Sequence, residues 1–376
     1  MTSHLLLAPR REPVRSDLRE RRLRRYQSRV QSRVRVCAMR HPHLADLALS
    51  FPALLFALAV PRRGFDPEPA LACVIEGRSL AEAASAAGLP MWLRKLPPEA
   101  FVRPIDPLPG GELFRRQIGN HLPRSPKLMP TWLQLVSEMA ALAHEPAAVW
   151  IAREYIRAPR ALNVGCVRRL ALWAWFSSSP VTLGRELIEK PWTPDMKLDA
   201  ALSAAAEWKT MIALHANVGR QPIRDMWLHP GRVGDYEFRP LDDIADIVEE
   251  GVAMRNCVRT YGDDIAHNRS RLWSVRRGGE RVATLEIRAG YHDPLVNVYQ
   301  LKGPGNAAVP RELWWVARRW LFLHDLPQIE TGRVRWRRAP LDSSAWRALW
   351  RPYWLAKRRI PAWLPLAPSR VALEAL

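Results

Sequence analysis

Two groups of residues in the C-terminal half of the sequence have the types and spacing that chemistry needs. The first is centred on Cys257, which lies between Arg255 and Arg259 and is followed by Tyr261. A thiol becomes a nucleophile when a base or a positive field lowers its pKa. No histidine adjoins Cys257, so His267 or His292 would have to be brought to it by folding. Residues two apart on a helix point away from each other, so the flanking arginines do not activate the thiol by spacing alone. The competing reading is a small buried helix residue packed on a sheet, because free Cys is among the most buried residue types.

The second group is centred on Glu286, an acid inside the run Ala283-Thr284-Leu285-Glu286-Ile287. On a strand, Thr284 and Glu286 share one face, and Ala283, Leu285 and Ile287 share the other. Gln300 on a following strand falls on the polar face, and Arg276 ends the strand before. Tyr261 and the turn Gly303-Pro304-Gly305-Asn306 are placed to close a pocket there. The candidate catalytic residues are therefore Cys257 and Glu286, with Tyr261, Arg276, Thr284, Gln300 and Asn306 as substrate-binding candidates. The competing reading makes Glu286 one half of a cross-strand salt bridge with Arg271 on a sheet face open to water.

These residues need a small α+β unit to position them. Leu241, Ile244, Ile247 and Val248 fit one helix face, and Ala253 to Ala266 suggests a second helix. Period-two strands follow at Leu272–Arg277, Arg281–Arg288 and Leu295–Leu301. Gly278-Gly279 makes a two-residue hairpin loop that sets Arg271 opposite Glu286 and Val275 opposite Val282. His292-Asp293-Pro294 marks the next turn. Val309-Pro310 opens a further helix, since Pro is well tolerated at the first helical position.

The stretch from Glu250 to Asn306 resembles the PcfJ-like family. The matching features are Glu250-Gly251, Met254 with Cys257-Val258 and Tyr261, the strand ending in Arg276, the Ala283–Ile287 strand, and Gln300 with Gly303 and Asn306. The resemblance implies a bacterial context, often on mobile DNA, the family being named for a protein of conjugative plasmids; it implies no assigned activity. Such proteins often have His before the Cys, where this chain has Asn256.

Upstream, residues 41–240 read as short helices joined at prolines, near 44–60, 68–77, 79–87, 130–143, 146–157, 161–176 and 196–216. The apolar run from Leu44 to Val60 contains Asp46 and Pro52. A bilayer span needs roughly 20 apolar residues, so a buried helix pair broken at Phe51-Pro52 is expected, with no membrane. Ser79 to Pro90 looks like the first half of a DNA-reading helix-turn-helix, but Leu93 falls early and Pro98 cuts the second helix, which favours a structural helix pair.

Charge divides the 376-residue chain differently. Its formal net charge is +20, with 57 Lys+Arg against 37 Asp+Glu. The excess lies at the two ends. Residues 1–40 carry 12 Arg and 3 acids, on a helical stripe of Leu23, Tyr26, Val30, Val34 and Cys37. Residues 311–376 mix arginines with 8 of the 17 Trp. Arginine beside exposed aromatic rings is what single-stranded nucleic acid uses, charge for phosphates and flat faces for bases. The candidate contacts are Arg22, Arg25 and Arg29 at one end and Arg335, Trp336, Arg337 and Arg338 at the other, for single- or double-stranded nucleic acid.

The 4 Cys are far apart, without a CxxC pair, which excludes a disulfide framework and suits a reducing cytoplasm. No HExxH, GxSxG or phosphate-loop motif is present, and neither a metal nor a cofactor is expected. The expected architecture is α+β: a basic arm (1–40), a helical region (41–240), a helix-plus-three-stranded antiparallel core (241–310) and a basic Trp-rich helical segment (311–376). The leading functional expectation is a nucleic-acid-associated accessory protein of mobile DNA. The alternatives are an enzyme using Cys257 and Glu286, and a module whose basic ends meet an acidic protein.

Overall fold

The computed structural model describes residues 12–179, 181–219, 221–289, 296–324 and 340–376. The chain forms two compact units, residues 1–175 with 192–201 and residues 176–191 with 202–376. The first unit is helical: α1 (Glu12–Leu23), α2 (Ser28–Met39), α3 (Pro42–Ser50), α4 (Pro52–Ala59), α5 (Glu68–Ile75), α6 (Leu80–Ala86), α7 (Glu112–Gln117), α8 (Met129–Leu142), α9 (Glu145–Arg157) and most of α10 (Val164–Ser177). Pro52 ends α3 and starts α4, since its ring removes a donor and restricts the residue before it. Residues 52 to 58 of α4 are all buried, and no described helix is long and apolar enough to cross a membrane.

The amphipathic stripe near the N-terminus is docked within this unit. Tyr26 is 2% exposed and donates to the Pro52 carbonyl at 2.7 Å, and Val30, Val34 and Cys37 are buried on α2. Ser79 and Glu82 form a reciprocal capping box at the start of α6. Two short 3₁₀ turns, Met91–Lys95 and Pro98–Ala100, follow where the second helix of the expected pair would lie, so the segment has neither a helix pair nor a reading helix.

The second unit contains α11 (Leu183–Glu186), most of α12 (Leu198–Val218), α13 (Ile244–Ala253), α14 (Gly262–Ala266), α15 (Arg311–Phe322), α16 (Ser343–Lys357) and α17 (Arg370–Glu374). Its antiparallel sheet has five strands in chain order: β1 (Gly231–Val233), β2 (Tyr236–Pro240), β3 (Ser270–Arg277), β4 (Glu280–Ala289) and β5 (Val296–Lys302). The α+β reading holds, and the expected three-stranded meander gains β1 and β2 at its edge. The turn His292-Asp293-Pro294 lies outside the described residues.

One sheet face is apolar and packs on α15. Phe238, Trp273, Val275, Ala283, Leu285 and Ile287 meet Leu313, Ala317 and Trp320, with the Trp320 ring stacked on Phe238 at 4.4 Å. The other face is covered by α13, a 3₁₀ turn (Val258–Tyr261) and α14, which with α12 enclose Leu214, Leu241, Ile247, Val258, Ile265 and Leu272. Gly262 permits this closeness, because a Cβ there would stand 3.0 Å from the Leu214 Cα. A separate aromatic cluster joins Phe176, Trp208, Trp350 and Trp346.

Two bulges set the sheet register. Arg277 pairs Glu280 and Arg276 pairs Arg281, as the Gly278-Gly279 loop dictates, and both glycines have positive φ. Between Val275 and Arg276 the register slips by one, so Val275 faces Ala283 and Leu272 faces Glu286. The expected pairings of Arg271 with Glu286 and of Val275 with Val282 are corrected by that slip. A second bulge lies between Glu286 and Ile287, which pair with Gln300 and Val298, leaving Tyr299 as the extra residue of β5.

Candidate functional site

The polar face of the sheet carries two buried carboxylates, each held by a hydroxyl and an arginine. Glu250 of α13 is 0% exposed. It lies three residues after Ile247 and four before Met254, on the stripe that faces the sheet. Thr284 Oγ1 donates to Glu250 Oε1 at 2.7 Å, Asn256 Nδ2 donates to Thr284 Oγ1 at 2.8 Å, and Arg281 Nε donates to Glu250 Oε2 at 3.0 Å. Arg281 also reaches Glu249 at 2.7 Å. Arg281 and Thr284 are three apart, which on a regular strand would put them on opposite faces. The β4 bulge between them brings both to one carboxylate.

Glu286 is 3% exposed and accepts from Ser270 Oγ at 2.6 Å, Arg288 Nε at 2.6 Å and Tyr261 OH at 3.1 Å. The Tyr261 hydroxyl is also 2.9 Å from Gln300 Oε1. A phenol has one proton, so when it points at the carboxylate the Gln300 amide must turn its NH2 to the phenol oxygen. Burial raises the Tyr261 pKa, and the Glu286 charge raises it further, which keeps the phenol protonated and donating. Arg288 stacks on the bulged Tyr299 ring at 3.6 Å. Both clusters therefore follow one sequence: amide, hydroxyl, carboxylate, arginine.

The structure brings Tyr261, Glu286 and Gln300 together as the sequence implied, and gives Thr284, on the same face of β4, to Glu250 instead. The face is covered, not open to water, and Glu286 makes its ion pair with Arg288. Arg271 is 5% exposed and turned elsewhere: it donates to the Asp225 carbonyl at 2.5 Å and lies over the Trp227 ring at 4.4 Å. Burial lowers its pKa to about 10. Arg276 stays on the polar face, 3.4 Å from Ser274 Oγ, where its charge acts on Asp246 and Glu249 of α13. Asn306 is exposed, and the neighbouring Gly305 N–H donates to the Met254 carbonyl at 2.7 Å, so its turn docks on the end of α13.

The helix expected over Ala253–Ala266 is interrupted. Arg255 adopts a positive φ of 48°, the Arg255 N–H bonds the Val252 carbonyl, and the Asn256 N–H bonds the Gly251 carbonyl. This is a Schellman-type stop with arginine in the place usually held by glycine. It turns Asn256 inward and Cys257 outward. Asn256 is 8% exposed, whereas Cys257 is exposed, contrary to a buried structural role. Among the described residues no base is hydrogen-bonded to the thiol. His267 bonds the Asp263 carbonyl at 2.7 Å, and His292 lies outside the described residues.

Sequence reasoning missed Glu250, Asn256, Ser270, Arg281 and Arg288. For Glu250 the signal was present, an acid in register with Ile247 on an apolar stripe; the partners of Glu286 depend on burial by elements distant in sequence. A cleft of about 800 Å³ lies beside α13, lined by Leu187, Trp208, Met211, Ile244 and Val248, and none of the expected site residues lines it.

The basic ends are placed less uniformly than the sequence suggested. Arg25 pairs with Glu99 at 2.5 Å, Arg29 donates to the Val102 carbonyl at 2.7 Å, and Arg22 is half-buried. Arg335, Trp336, Arg337 and Arg338 lie outside the described residues. Trp346, Trp350 and Trp354 are at most 7% exposed. The open ring is Trp315, 75% exposed on the outward face of α15, with Phe322 at 74%. Arg311, Arg318 and Arg319 flank them, exposed and without an ion pair among the described residues.

An α+β domain with a sheet covered on both faces and a buried double-carboxylate face is thus the class defined. Residues 229–312 match the family model described as PcfJ-like protein. The match spans all five strands and the first two residues of α15, extending the likeness beyond Glu250–Asn306. No curated protein and no solved structure matches the chain.

Proposed function

We propose that this PcfJ-like protein is a nucleic-acid-associated accessory protein of mobile DNA, and that the outward face of α15 is its contact surface. The observation that carries this reading is the exposed pair Trp315 and Phe322 set among Arg311, Arg318 and Arg319. Residues 315 and 322 are two turns apart on one face, about 10 Å along the axis. Rings at that spacing can stack bases while the arginines meet phosphates. The mobile-DNA context rests on the PcfJ likeness. The internal bonds of Arg25 and Arg29 move the phosphate contacts away from α1 and α2.

Binding of a labelled single strand and of its duplex across a salt series tests this. Single strand is expected to bind more tightly, and Trp315→Ala with Phe322→Ala should remove that preference. Replacing Arg311, Arg318 and Arg319 by Gln should flatten the slope of log K against log salt by about 2, at roughly 0.7 per phosphate contact. Arg25→Gln and Arg29→Gln should leave the slope unchanged. Binding that ignores the α15 substitutions would sink the proposal.

A second reading, an enzyme of unassigned reaction, is favoured by one observation: Tyr261, Arg288 and Gln300 are half-buried, so the cluster around the buried Glu286 borders solvent on their side.

A further inference from the structure

Between Asp342 and Glu374 the sequence contains no acid, yet it carries Arg347, Arg351, Lys357, Arg358, Arg359 and Arg370. Arg370 finds a partner in Asp263 at 2.6 Å. Arg347, Arg351, Arg358 and Arg359 are exposed and have no side-chain hydrogen bond or ion pair among the described residues. These four rim a groove of about 540 Å³ floored by Trp354, Leu355, Ile360 and Leu366. The three aliphatic residues are 66%, 48% and 52% exposed.

The local backbone builds the groove. Arg347, Arg351 and Leu355 succeed one another at four-residue intervals along one face of α16. Arg358 then takes a left-handed conformation, φ 47°, and its N–H and that of Arg359 close on the carbonyls of Leu355 and Trp354. The chain doubles back, so that Ile360 and Leu366 form the opposite wall.

We infer that this groove docks an acidic amphipathic helix of a protein partner. Four unpaired guanidinium groups around one depression repel each other and gain from carboxylates, which they bind in a fork geometry. An aliphatic floor wants apolar side chains, and a helix in a groove supplies them at i, i+3 or i+4, and i+7. From Arg347 to Leu355 is about 12 Å, so roughly two turns of the partner fit. Nucleic acid suits the groove poorly, because its one ring, Trp354, is 7% exposed and offers no stacking face. A bilayer needs a broad apolar surface, and here three exposed aliphatic side chains stand among four arginines.

The test uses the full chain and a fluorescein-labelled synthetic peptide with glutamates on one helical face and leucines on the other, followed by anisotropy at physiological salt. A scrambled peptide of equal composition supplies charge without the apolar stripe. The amphipathic peptide is expected to bind at least tenfold more tightly than the scrambled one. Arg351→Glu and Leu355→Ser should each weaken it at least tenfold, with Leu355→Ser leaving oligonucleotide binding unchanged. Both positions are exposed, and equal unfolding midpoints for the variants would confirm an intact fold. Equal binding of the two peptides, indifference to Leu355→Ser, or binding confined to anionic vesicles would overturn the inference. Because the groove and the α15 face are altered by different substitutions, either can fail alone.

Discussion

Asn256 and Cys257 are neighbours in the chain that point to opposite sides of one turn: Asn256 enters the polar core to donate to Thr284, and Cys257 stands in solvent. The positive φ of Arg255 causes this division, because it closes the end of α13, whose last residue is Ala253, and turns the chain before Asn256. At that turn the chain places an amide inside a hydrogen-bonded network. The position preceding the cysteine is therefore the one that reads the buried carboxylates.

The Glu250 cluster should be worth several kcal/mol of stability. Thr284→Val strips one donor from Glu250 and leaves the Asn256 amide without its acceptor, a cost of about 1–3 kcal/mol. Glu250→Ala removes the partner of Arg281 and Thr284 at once and should cost about 3–5 kcal/mol. Urea unfolding of the two variants checks both figures; changes within ~0.5 kcal/mol would show that the cluster is not holding α13 to the sheet.

Stability should fall in alkali in a way that depends on Tyr261. Its folded pKa is raised by burial and by Glu286, above an unfolded value of about 10. The stabilisation is therefore complete below about pH 10 and is lost as pH climbs toward the folded value. Tyr261→Phe should cost stability at pH 7, where Glu286 loses a donor, and the gap to the parent should narrow by pH 11. Tyr26, also raised by burial, contributes equally to both proteins and cancels from the difference. A gap that is constant with pH would contradict the Tyr261–Glu286 bond.

Cys257 should be alkylated by iodoacetamide before the other three cysteines, since Cys37 is buried and Cys73 and Cys166 are half-buried. Exposure alone predicts that order, so the absolute rate separates the two functional readings. A rate like that of a small free thiol removes the nucleophile; one tens of times faster would revive the enzyme. Mass spectrometry of the labelled peptides over time makes the comparison.

Much of the fold was legible because its signals are local. The Phe51-Pro52 break, the strand alternation of Ala283–Ile287 and the Gly278-Gly279 loop each act within a few residues. The sharing of a face by Thr284 and Glu286 followed from strand parity alone. What stayed hidden depends on contacts between distant segments. β1 and β2 are short and gain identity only as a hairpin whose second strand pairs with β3, and the stop at Arg255 defies the preference for glycine at that position. The partner of Glu286 was misread because a bulge has no reliable sequence mark. The N-terminal arginines looked free because nothing local announces Glu99 or the Val102 carbonyl.

The β4 bulge gives the hairpin an odd count. If the same residues ran as a regular strand, without the bulge, Arg281 would share a face with Ala283, and the guanidinium would lose Glu250 or the methyl would leave the apolar core. Deletion of Val282, the extra residue, should thus leave both contacts in place, because Arg281 and Thr284 would then be two apart on one face of a regular strand. Parity, more than the identity of any one side chain, is what this hairpin cannot surrender.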